Sequence, residues 1–221
     1  MSDVTITVRG EHEARIAPER AIIRISVRAD GADRAAVVEH ALHLAEPVRD
    51  SIIRREAEGT ILDWSSTRLS VRSERPWNAE GKRLAPVYYA GVDLTATFAD
   101  ASELSLWVTD VSAREGVEIG GVDWRLTPET RARVEREVAA SAVAAAVARA
   151  EAYAAALNRT SVHPLEVADV GLISNAPSEP TPTMLKARGA AFAAADTAPG
   201  MEYEPEEIVV SATVEGRFIA R

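Results

Sequence analysis

The sequence predicts an α+β fold: about seven strands in a mixed, mostly antiparallel sheet, with three main helices on one face. Three observations carry this. Several segments alternate apolar and polar residues strictly, the period of a half-buried strand. Others repeat apolar residues at three- and four-residue steps, the period of an amphipathic helix. One strand-helix-strand arrangement occurs twice. A strand with one apolar and one polar face suits a sheet covered on one side, whereas an all-parallel sheet is buried on both.

The first strand is drawn by Val4, Ile6 and Val8 against Thr5, Thr7 and Arg9, and the second by Ala21, Ile23, Ile25, Val27 and Ala29 against Arg24, Ser26 and Arg28. From about Asp33 to Glu58 the set Val37, Ala41, Ala45, Val48 and Ile52 makes a single helical stripe. Pro47 inside it predicts a kink or a break, because proline has no N–H to donate and its ring crowds the preceding turn. A return strand runs through Leu69 and Val71. After a probable hairpin loop, Val92, Leu94, Ala96 and Phe98 form the apolar face of another strand.

A short helix follows Asp100, which stands three residues before Glu103 in capping-box spacing, and its stripe is Leu104, Trp107, Val108 and Val111. A second return strand passes through Val117 and Ile119. The longest helix starts at Thr127, an N-cap type followed by Pro128 at the first helical position. Its face is read as Val134, Val138, Ala142, Ala145, Ala152 and Ala156, small residues that let a helix lie close to a sheet. Ile208, Val210, Ala212 and Val214 make the last strand. Strand, Ala-Asp, helix, Glu-Gly, strand is the shared order of the segments from Ala29-Asp30 to Glu58-Gly59 and from Ala99-Asp100 to Glu115-Gly116. The whole chain, 1–221, is expected to form a single domain with a long Pro/Ala-rich excursion at about 175–204.

Composition excludes several chemistries. Of 221 residues 47% are hydrophobic and none is cysteine, so a core can form without staples, and disulfides, thiolate catalysis and cysteine metal sites are absent. A net charge of −9 is the wrong footprint for nucleic acid, which needs a basic face. The alanine-rich run after Ser141 is interrupted by Arg149 and Glu151, so no membrane-spanning stretch is expected. The opening residues run into a strand without a leader pattern, which gives the expectation of a cytoplasmic protein.

Candidate chemistry is sparse. His40 and His43 stand at i, i+3 with Glu39 and Glu46 nearby, but no third metal ligand has a fixed spacing, and a solvated helix face is the expectation. His12 and His163 have no sequence neighbour that suggests a role. Asp93, Glu118, Asp123 and Glu166 could pair for acid-base work, yet acidic residues on strands more often keep sheet edges from aggregating. No Gly-x-Ser-x-Gly, Ser-x-x-Lys, His-Glu-x-x-His or phosphate-loop motif is present.

Of the four tryptophans, Trp107 belongs to a helical core stripe. Trp77 instead sits in a loop beside Arg72, Arg75, Lys82 and Arg83, a basic aromatic patch on an acidic protein. It is either a contact for a partner or neighbouring subunit, or a ring folded back over its own sheet. Met184, Leu185, Arg188 and Phe192 lie within the excursion, and their apolar members need a cover. A neighbouring subunit is favoured over the chain's own sheet as that cover.

Together these residues resemble the SIMPL-domain family. The resemblance rests on Ile6-Thr7-Val8-Arg9-Gly10 followed by Pro18-Glu19-Arg20-Ala21-Ile22-Ile23, with Glu19 where aspartate is more usual. It continues in Tyr89-Ala90-Gly91-Val92-Asp93, in Gly121-Val122-Asp123-Trp124-Arg125-Leu126 before the alanine-rich helix, and in Pro205-Glu206-Glu207-Ile208-Val209-Val210 near the end. The resemblance implies a link to oxidative-stress tolerance and, for some members, ring-like assemblies. It implies no catalytic residue and no cofactor. The function expected is therefore a non-enzymatic, assembly-forming scaffold or binding module linked to stress protection, a homo-oligomer that engages neither nucleic acid nor membrane, with any other protein partner unknown. The alternative is a small-molecule-binding or hydrolytic enzyme with a site between subunits.

Overall fold

The computed structural model describes residues 3–173 and 203–221. Its elements in chain order are β1 (Val4–Ile16), β2 (Arg20–Gly31), α1 (Arg34–Ala57), β3 (Ile61–Glu74), β4 (Val87–Phe98), α2 (Ala101–Ser112), β5 (Val117–Arg125), α3 (Pro128–Ala156), β6 (Val162–Asp169) and β7 (Ile208–Ala220). The α+β class and the three helices stand as the sequence predicts. The described strands do not form one sheet: they divide into two antiparallel sheets, ordered β1-β7-β6 and β3-β4-β2-β5. Each sheet belongs to its own compact unit.

The four-stranded unit explains the duplicated pattern. β2-α1-β3 and β4-α2-β5 are two crossover units, and the order β3-β4-β2-β5 places one strand of each between the two strands of the other. This is the split β-α-β arrangement of ferredoxin-like folds. Both helices pack their stripes on one face of the sheet. Ile23, Ile25 and Val27 of β2 and Leu94, Ala96 and Phe98 of β4 meet Val48 and Ile52 of α1 and Leu104, Trp107 and Val111 of α2 in one buried cluster. The stripe of α1 is the expected one, with Ser51 added.

α1 runs without a break through Pro47. The carbonyl that proline deprives of a donor is that of His43, and both residues lie on the exposed side, where solvent can supply the missing bond. The cap of α2 is the expected one, and that of α1 is Asp33. Asp33 accepts from the N–H of Ala36 (2.9 Å), and Asp100 from those of Ser102 and Glu103 (2.8 and 3.1 Å). Gly59, at φ +79°, takes the left-handed conformation that ends α1.

In the three-stranded unit, α3 packs along β1 and β7. Thr127 caps it by accepting from the N–H of Thr130 (3.2 Å). The buried face is Val134, Val138, Ala142, Ala146, Ala150 and Ala154, not the expected set containing Ala145, Ala152 and Ala156. A strict four-residue step drifts about 40° around a helix of 3.6 residues per turn, so the buried line winds about α3 as the twisted sheet beneath it turns. Alanine is small enough on either side of that line that composition alone does not mark it. At Gly10 the strand and helix backbones nearly touch: a Cβ there would stand 2.0 Å from the Ala142 carbonyl oxygen. Against expectation, α3 is long and apolar enough by length and composition to cross a membrane. Its apolarity comes largely from alanine, and its buried line is spent on its own sheet.

Candidate functional site

The tip of the β3–β4 hairpin is the most distinctive surface of the four-stranded unit. β4 pairs with β2 only as far as Tyr88 opposite Gly31, whereas β3 and β4 continue to Glu74 opposite Val87. Residues 75–86 therefore project past the end of β2. Their conformation is built by Asn78, whose side-chain oxygen accepts from the N–H groups of Glu80 (3.1 Å) and Lys82 (2.8 Å). The N–H of Gly81 bonds the Asn78 carbonyl (3.0 Å), and Gly81 has φ +74°, a conformation that an L side chain resists. The flanks close as a miniature ladder, with a bridge between Trp77 and Arg83 and a bond from the Leu84 N–H to the Pro76 carbonyl (2.9 Å).

This turn settles where Trp77 lies. The residue is 61% exposed, with the Arg83 guanidinium 5.0 Å from the ring centroid. The ring is held in a cation–π contact at the tip rather than laid over the sheet. Leu84, next to Arg83 in the chain, is also exposed. Arg72, further down β3, stands over the Tyr89 ring (4.6 Å) and is paired with Glu74. The basic patch is thus partly committed along the hairpin. Met184, Leu185, Arg188 and Phe192 lie outside the described residues.

A groove of about 700 Å³ opens between α1 and the β3–β4 strands. Ala45, Val92 and Leu94 give it an apolar floor, and His40, His43 and Glu46 stand on its helical wall. The structure therefore brings the two histidines to a groove, which their spacing did not reveal. They do not form a metal cage: His43 Nδ1 is 3.8 Å from Glu46 Oε2, with side chains 80% and 69% exposed. Among the described residues no three histidines or carboxylates converge on a common point. The groove, which Ser66 of β3 also lines, can admit a small amphiphilic molecule.

The four carboxylates considered for acid-base work are engaged elsewhere. Asp93 accepts from the hydroxyl of Ser26 (2.7 Å), Glu118 pairs with Arg28 (3.1 Å), Asp123 with Arg125 (2.6 Å) and Glu166 with Arg217 (3.0 Å). These are cross-strand and same-strand pairs of the polar sheet faces. Sequence reasoning passed over Glu215, which is buried in the three-stranded unit. It pairs with Arg9 across β1 (3.2 Å) and accepts from the Gly171 N–H (3.2 Å). Its place on the polar side of β7 is readable, but its cover comes from the turn after β6, which no local pattern announces.

No curated protein matches the chain. A family model described as SIMPL, protein of unknown function (DUF541), matches residues 6–218. That span takes in all of both crossover units, the hairpin tip and α3, and the chain belongs to the SIMPL family.

Proposed function

We propose that this protein is a non-enzymatic binding module that assembles with further copies of itself, using the β3–β4 hairpin tip as a contact. The carrying observation is Trp77. Trp77, 61% exposed, is set at the tip by a bridged turn and touched by an arginine without being buried. Such preset aromatic anchors are the residues that contribute most when an interface closes over them. A cytoplasmic setting and a part in stress protection belong to this reading.

The enzyme alternative draws support only from the groove beside α1. Its polar groups lie on α1, apart from Ser66 of β3, and the side chains of His43 and Glu46 are 80% and 69% exposed, whereas a catalytic site holds its groups in fixed mutual geometry.

The test is Trp77→Ala, followed by native mass spectrometry and thermal denaturation. The expected result is a lower native mass with stability unchanged within about 0.5 kcal/mol, as for an exposed residue. An unchanged mass, or a destabilisation of about 3 kcal/mol as for a truncated core aromatic, overturns the contact role.

A further inference from the structure

Among the described residues, the four outer strands of the two sheets are unequal. β3 carries two register irregularities, between Ile61 and Asp63 and between Ser66 and Arg68. β6 contains Pro164 and a further irregularity after it. β5 is short, contains Gly120 and Gly121, and slips against β2. Bulges, prolines, shortness and charged side chains are devices by which outer strands avoid pairing with another chain. β1 has none of the first three, and its charges, Arg9, Glu11, Glu13 and Arg15, are of both signs. Its 13 residues pair with β7 in unbroken register from Val4 opposite Ala220 to Ile16 opposite Ile208. Among the described residues its other packing is against α3, on its face, with one α3 side chain, Arg149, reaching a backbone carbonyl.

We infer that the free edge of β1 is a self-pairing surface, on which β1 of a second copy docks antiparallel about a two-fold axis at Gly10. Three features select this occupant and register. Gly10 is the midpoint of Val4–Ile16, so an axis there pairs the strand over its whole length. The register sets Arg9 opposite Glu11 of the second copy, and by symmetry Glu11 opposite its Arg9, giving two cross-strand pairs of opposite charge. Moving the axis to Arg9 or Glu11 sets a charge against itself, and moving it to His12 sets Arg9 against Arg15 and Glu11 against Glu13. Finally, Val4 would meet Ile16 and Ile6 would meet Ala14 on the α3 side. Val4, Ala14 and Ile16 are only half-buried in the single chain.

Pairing of this kind joins two three-stranded sheets into one of six strands and satisfies the outward N–H and C=O groups of both edges. Arg149 reaches the carbonyl of Arg9 (2.7 Å) and is an exposed side chain that the docking strand would displace. The inference rests on the reading that the chain assembles with itself, but not on the hairpin tip.

The test uses Thr7, which is exposed and stands opposite Glu13 of the second copy in this register. Thr7→Glu places like charges opposite each other twice per pair and is expected to weaken self-association about fivefold to tenfold by analytical ultracentrifugation. Thr7→Lys is expected to strengthen it, and Glu13→Lys added to Thr7→Glu to restore it. Because the chain has no cysteine, a mixture of Thr7→Cys and Glu13→Cys should form an interchain disulfide that neither forms alone. A wild-type monomer overturns both this inference and the proposed function. An oligomer indifferent to the sign of charge at Thr7, with no disulfide in the mixture, overturns this inference alone. An oligomer that responds at Thr7 but not to Trp77→Ala leaves the β1 pairing standing and removes the hairpin contact. Circular dichroism of each variant separates these outcomes from loss of fold.

Discussion

The indole Nε1 of Trp107 in α2 donates to the hydroxyl of Ser51 in α1 over 3.0 Å, with both residues buried. Ser51 in turn donates to the Val48 carbonyl (2.7 Å), and the Trp107 ring packs 5.2 Å from Phe98 at a tilt of 45°. The bond joins the helices of the two crossover units, and it is why a serine sits on an otherwise apolar stripe. A buried tryptophan needs an acceptor for its N–H, and Ser51 supplies it.

Ser51→Ala strands that N–H in the core, with an expected loss of about 1–3 kcal/mol. Urea unfolding followed by tryptophan fluorescence measures it. Adding Trp107→Phe, which removes the donor, should cost less than the sum of the two single changes, because the penalty for the unpaired group is then removed.

Gly10→Ala tests the contact between α3 and β1. The added methyl would lie 2.0 Å from the Ala142 carbonyl oxygen and 2.8 Å from the Ala146 Cβ, both on a helix that cannot move locally. The helix must lift from the strand, and the expected destabilisation is about 3 kcal/mol, the upper range for overpacking. Thermal denaturation decides it, and a change under about 0.5 kcal/mol would show that α3 does not lie so close to the strand.

Burial raises the phenol of Tyr203 above its ordinary value of 10.0. The ring packs edge-on against Trp124 at 6.1 Å, and the Tyr203 N–H bonds the Ser105 hydroxyl (3.1 Å). A raised pKa means that the fold favours the neutral phenol. Its contribution to stability is therefore complete below pH about 10 and is lost as the pH rises through the folded-state value. Spectrophotometric titration near 295 nm should show one tyrosine ionising later than the others, and Tyr203→Phe should remove that step.

Chelation is expected to leave the melting temperature unchanged, because His40 and His43 lack a converging third ligand among the described residues. Zinc retained at one equivalent through gel filtration, with a fall in melting temperature on adding EDTA, would refute this. A structural metal is coupled directly to folding.

Much of the molecule is legible from local patterning. Period-two alternation placed the apolar faces of β1, β2, β4 and β7, and three- and four-residue steps placed the buried stripes of α1 and α2. Asp100 and Thr127 marked two of the caps, because each of these signals is a contact a residue makes with its own turn or strand. The repeat was visible too, as paired strand-helix-strand units. What tertiary structure decided is how those pieces pair. The division into two sheets and the interleaving of the crossover units depend on which edges meet, and strand sequence carries no address for a distant partner. β6 escaped notice because it is mostly exposed, contains Pro164 and shows no alternation. The buried line of α3 was misplaced because alanine is equally at home on both sides of it. The exposure of Trp77 depends on the Asn78 turn and the bridge to Arg83, and the burial of Glu215 depends on a turn that follows β6, 44 residues away in the chain. Local chemistry sets what each segment becomes, and long-range packing sets which of its groups end up covered.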